Sequence, residues 1–94
     1  MGQVLIEFKF KAGIDTHWIE DVVAYWFSTS KRKRKPNRYR IQEFAPIPTT
    51  LYISYDWDDD KLVAGLAFGK SIEEELTPLF QSTIIGRAQI SCEG

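Results

Sequence analysis

Thr50–Phe68 reads TLYISYDWDDDKLVAGLAF, and the fold turns on how its two halves are taken. In the first half Leu51, Ile53, Tyr55 and Trp57 alternate with Tyr52, Ser54 and Asp56. A period of two with aromatic and β-branched enrichment is the pattern of a half-buried strand. Asp58-Asp59-Asp60 then supplies a polar turn. In the second half Leu62, Ala64, Leu66 and Phe68 alternate with Val63, Gly65 and Ala67, which predicts a returning strand and hence a hairpin. Its outward residues are small, and small residues let another backbone approach closely. Gly65 and Ala67 are therefore the candidate interface of a homodimer.

Working towards the N-terminus, Tyr39–Phe44 predicts a short strand closed by Pro46 and Pro48. Before it, Trp18, Ile19, Val22, Val23, Trp26 and Phe27 recur as one stripe of a 3.6-residue period, which predicts a helix over 15–28 capped by Asp15 or Thr16. Val4–Lys11 alternates, with Val4, Ile6, Phe8 and Phe10 on one face and Leu5, Glu7, Lys9 and Lys11 on the other. Towards the C-terminus, Ser71-Ile72-Glu73-Glu74 has the form of a capping box and predicts that a second helix starts there. Pro78 falls inside its stripe. Arg87–Cys92 predicts a last short strand.

The expected order is β-α-β-β-β-α-β. That is an α+β class, an antiparallel sheet with two helices on one face, in the ferredoxin-like split β-α-β order with one extra short strand. Ninety-four residues predict a single domain over 1–94 with a modest core, and an aromatic fraction of 14% enlarges what that core can bury.

Charge is distributed unevenly. Seven of the twelve Lys and Arg residues fall in Lys31–Arg40, KRKRKPNRYR, while the whole chain carries a formal −1. The window is thus +7 and the remainder −8. Like charges at close spacing repel and must stay hydrated, so packing does not call for such a cluster. It is expected to be a loop that meets something anionic. The candidate contacts are Lys31, Arg32, Lys33, Arg34, Lys35, Arg38 and Arg40, with Tyr39 as a ring that can stack on a base. An aromatic platform on the sheet itself is not expected. The outward positions of the two strands concerned are Leu5, Glu7, Lys9 and Lys11, then Val63, Gly65 and Ala67, while the rings of Phe8, Phe10 and Phe68 fall on the side the helices should cover, so nucleic-acid contact is expected from the loop.

Other motifs lead nowhere. Ala64–Ser71, AGLAFGKS, satisfies a relaxed phosphate-loop pattern, but the residues before Gly69 are an apolar run with no loop to wrap a phosphate. The acids from Asp56 to Asp60 resemble the start of a calcium loop, yet Lys61 stands where glycine is needed and Ala67 where glutamate is needed. His17 has no readable nucleophile beside it, and a single histidine with the single Cys92 gives no zinc set. No catalytic residues, metal or cofactor are expected. Cys92 admits no internal disulfide, and the sequence has no apolar leader or spanning segment, which suggests a cytoplasmic protein with no membrane partner. The expected function is a small non-enzymatic module contacting nucleic acid, or another polyanion such as an acidic protein partner, through 31–40. The alternative is a regulatory or inhibitory protein-interaction module acting as a homodimer.

Overall fold

The alternation near the N-terminus becomes a central strand. In the computed structural model, which describes residues 2–30 and 34–93, β1 spans Gly2–Lys9 with Val4, Ile6 and Phe8 buried and Gln3, Leu5 and Glu7 half-buried. Gly13, at φ 86°, turns the chain out of the strand in a conformation that side chains resist. Helix α1 (Thr16–Thr29) follows, with the Asp15 carboxylate accepting from the His17 backbone N–H at 2.9 Å and Ile19, Val23 and Trp26 buried. This is the helix expected over 15–28.

Strands β2 (Arg38–Phe44) and β3 (Ile47–Trp57) form the hairpin of the molecule, turning at Ala45-Pro46, where Phe44 faces Ile47. Helix α2 (Leu62–Phe80), a short 3-10 turn (Gln81–Thr83) and β4 (Gln89–Glu93) complete the chain. The four strands form one antiparallel sheet in the order β2-β3-β1-β4. The protein is therefore α+β, a four-stranded antiparallel sheet with two helices.

One core joins the layers. Val4, Ile6, Phe8 and Phe10 from the N-terminal strand and its extension, Leu51, Ile53 and Tyr55 from β3, and the stripes Ile19, Val23, Trp26 and Ile72, Leu76, Phe80 of the helices are buried together. The Phe80 ring stands edge-on to Phe8 and Phe10 at centroid distances of 5.2 and 5.0 Å, a geometry aromatic pairs favour. Between the helices, Trp26 Nε1 donates to Glu75 Oε1 at 3.0 Å and Ser30 Oγ to the same oxygen at 3.1 Å.

The segment 62–68 is helix, not strand, so the hairpin expected at Asp58–Asp60 is absent, while the short strand expected over 39–44 is present as β2. Every residue from Leu62 to Phe68 is apolar or glycine. In such a run a period of two and a period of 3.6 fit equally, and Leu and Ala favour the helix. The stripe that faces the sheet is Gly65, Gly69, Ile72, Leu76 and Phe80, which continues beyond the ambiguous run. Asp58–Asp60 lead into the N-terminus of α2, where acids suit the helix dipole. The helix consequently starts nine residues before the expected capping box. Ser71 lies inside it, its Oγ donating to the Phe68 carbonyl at 2.6 Å.

With the strand goes the surface on which a dimer through Gly65 and Ala67 was expected. Gly65 is buried in α2: a Cβ there would stand 2.5 Å from Cys92 Sγ and 2.9 Å from Trp57 Nε1. Ala67 is exposed on the same helix. The close approach that the small residues imply is real, but the approaching element is β4 of the same chain. No helix among the described residues is long and apolar enough to cross a membrane.

Candidate functional site

The basic window divides between elements. Lys31, Arg32 and Lys33 lie outside the described residues. Helix α1 ends at Thr29, Arg34 and Lys35 are exposed in the connection, and Arg38, Tyr39 and Arg40 belong to β2. The loop expected over 31–40 is thus a strand from Arg38 onward. Asn37 explains the early pairing: its backbone N–H donates to the Ser54 carbonyl at 2.9 Å, and its Oδ1 accepts from the Asp56 backbone N–H at 2.8 Å. These two bonds fasten the basic segment to β3 before the regular ladder begins.

Strand alternation then separates the candidate contacts. Arg38 and Arg40 project from the face of the sheet that the helices leave open. Tyr39 projects from the other face, 47% exposed, with its ring edge-on to Phe27 at 5.8 Å. The Tyr39 ring therefore projects to the opposite face of the sheet from the two arginine side chains. The ring that does share their face is Tyr52. It pairs with Arg40 across β2 and β3 and with Glu7 across β3 and β1, and the Arg40 guanidinium lies 4.8 Å from its centroid. Tyr52 follows from the sequence as an outward residue, but its neighbours become visible only once 38–44 is paired with 47–57.

Around Tyr52 the open face holds a shallow groove of about 490 Å³, bordered by Gln3, Leu5, Arg38, Tyr39, Arg40, Tyr52 and Ser54. A polar chain crosses its floor. Arg38 donates to Ser54 Oγ at 3.4 Å, and Ser54 Oγ donates to Gln3 Oε1 at 3.0 Å. The second arginine bond goes to Asp56 Oδ1 at 2.9 Å, with both side chains substantially exposed. Arg34 reaches the Asp56 carbonyl and lies over the Trp57 ring at 5.3 Å. Beside that ring a second hollow is bordered by Arg34, Asp56, Asp58 and Lys61; its alternating charges give it no preference for an anion.

The charge of the open face is graded. Outward residues on β2 are Arg38, Arg40 and Gln42, those on β4 are Gln89, Ser91 and Glu93, and β3 and β1 lie between. Two arginines therefore line the β2 edge with Asp56 beside Arg38, Glu7 and Lys9 stand together on β1, and Glu93 is the acid of the β4 edge. An anionic chain is favoured at the β2 edge over the β4 edge, where Glu93 stands. The rest of the chemistry-bearing residues stand apart from this face. His17 is exposed on α1, 3.8 Å from Glu20, and buried Glu73 on α2 meets Arg87 at 3.6 Å. Among the described residues no three His, Cys, Asp or Glu side chains are grouped to hold a metal ion.

No protein-family model matches the chain, and no curated protein sequence matches it either.

Proposed function

We propose that the protein is a small binding module that contacts nucleic acid, or a polyanion of similar charge density, along the basic segment 31–40 and the β2 edge that continues it. The observation that carries this reading is the exposure of the segment's described cations. Asp56 meets Arg38, but Arg40 is held against a neutral ring, and Arg34 and Lys35 are exposed. Exposed cations at this spacing suit an anionic partner outside the chain. The same reading takes the fold as ferredoxin-like, supported by the β-α-β-β-α-β order and by β3 lying between β1 and β2.

A salt titration tests the function. Each phosphate neutralised on duplex DNA contributes about −0.9 to the slope of log K against log salt, so a slope of roughly −3 to −6 is expected. Replacing Lys31, Arg32, Lys33, Arg34 and Lys35 with Ser should abolish binding while leaving the thermal midpoint nearly unchanged. Undiminished affinity in that variant would remove the proposal.

A second reading, a regulatory or inhibitory protein-interaction module, is favoured by one feature. At the tip of the β2–β3 hairpin Phe44 and Ile47 are 65% and 54% exposed, beside a sheet edge with unpaired backbone groups. Loss of a partner on Phe44→Ser, with nucleic-acid binding absent, would favour this reading over the first.

A further inference from the structure

The geometry points to single-stranded nucleic acid, lying across the open sheet face with a base stacked at Tyr52, as the ligand of this surface. The inference rests on the polyanion reading and specifies where the strand lies and which form it takes. Three observations support it. First, the cations and the ring stand on one face: Arg38 and Arg40 border the groove on the β2 side, and Tyr52 borders it from β3. Second, the charge gradient orients a strand, with phosphates towards Arg38 and Arg40 and bases towards Leu5 and Glu7 on β1. Third, the groove floor is polar where base edges would reach it, with the Gln3 amide and the Ser54 hydroxyl already in one hydrogen-bonded chain with Arg38.

A duplex does not suit this arrangement, because its bases are stacked on each other and cannot reach a ring on a flat sheet. Single strands expose π-faces, and any base can stack on an aromatic ring, so little sequence preference is needed. The Arg40 guanidinium lies over the Tyr52 ring at 4.8 Å, so a base stacks on the guanidinium plane or takes its place on the ring.

The test is fluorescence anisotropy at fixed salt, using labelled oligo(dT) and oligo(U) of about twelve nucleotides and a DNA duplex of about the same length, within the site sizes of such surfaces. The wild-type protein should bind both single strands more tightly than the duplex. Tyr52→Leu should weaken single-strand binding about tenfold and leave duplex binding nearly unchanged, and Tyr52→Trp should retain or tighten it. That rescue cannot come from a misfolded protein, so the series holds even if the Leu variant is unstable. Equal binding of duplex and single strands, or equal affinity of all three Tyr52 forms, overturns the inference. If the five-serine variant still loses binding in that case, the polyanion reading survives without it. Absence of binding to every probe by the wild type removes both.

Discussion

The two faces of the sheet use alternate residues of the same strands for opposite ends. On β1, Val4, Ile6 and Phe8 are fully covered by helices, while Gln3, Leu5 and Glu7, one residue away in each case, remain accessible. On β3, Leu51, Ile53 and Tyr55 are buried and Tyr52 is not. The covered face carries thirteen buried apolar residues drawn from both helices and the sheet, and it fixes the fold by apolar burial. The open face holds polar groups, one ring and a charge gradient, contributing little to the core. Stability and the proposed binding are therefore separable by substitution, because neighbouring positions along a strand point to different faces.

The largest expected effect is on the covered face. Phe80 is fully buried against Phe8, Phe10 and Trp18, and it is the last residue of α2. Phe80→Ala should cost about 3–5 kcal/mol, since a cavity forms where three rings meet. For a domain of this size that is a large share of the total, measurable by urea denaturation. A loss below about 1 kcal/mol would mean that the core closes up around the gap and that the covered face is less rigid than its packing implies.

An intermediate effect is expected where the helix touches the sheet most closely. Gly65→Ala gains about 1 kcal/mol of helix propensity, but the new methyl would meet Cys92 Sγ at 2.5 Å and Trp57 Nε1 at 2.9 Å. The indole is held by its own bond to the Lys61 carbonyl, 2.9 Å, so it cannot yield freely. Overpacking costs about 1–3 kcal/mol, and the net should be a loss of about 1 kcal/mol. In a Cys92→Ala background the loss should shrink, because the nearest obstructing atom is gone. A double-mutant cycle with no coupling between these two positions would contradict the close seating of α2 on β4.

Gly65 and Gly69 show why part of the fold was legible and part was not. Val4–Phe10 and the 15–28 stripe mix polar with apolar residues, so each has a single period, and both elements appear where that period requires. Leu62–Phe68 has no polar residue to break the tie. Its period shows in Gly65 and Gly69, which face Cys92 and Ile90 on β4, contacts between segments apart in sequence. The site was legible in charge and not in geometry. The count of cations in 31–40 needs no fold, but that Arg38 and Arg40 share a face with Tyr52 and not with Tyr39 depends on the β2–β3 register. That register follows from Asn37 bonding to Ser54 and Asp56, which composition does not reveal.

The smallest effect on stability should come from the open face, and it is the one that best separates the two faces. Asp56 and Arg38 are 2.9 Å apart with side chains 38% and 60% exposed. Exposed pairs of this kind contribute about 0–1 kcal/mol after side-chain ordering and screening, so Asp56→Asn should hardly move the thermal midpoint. Its effect on binding should have the opposite sign. Asp56 is the carboxylate facing the cationic edge, and neutralising it leaves the charge of Arg38 available to a phosphate while the asparagine oxygen can still accept from the guanidinium. Affinity for a nucleic-acid strand should rise by about two- to threefold at low ionic strength, and the gain should vanish as salt shortens the screening length to about 3 Å at 1 M. A fall in affinity would show that Asp56 holds Arg38 in its binding position, making the acid part of the open face's machinery and not an opponent of its charge.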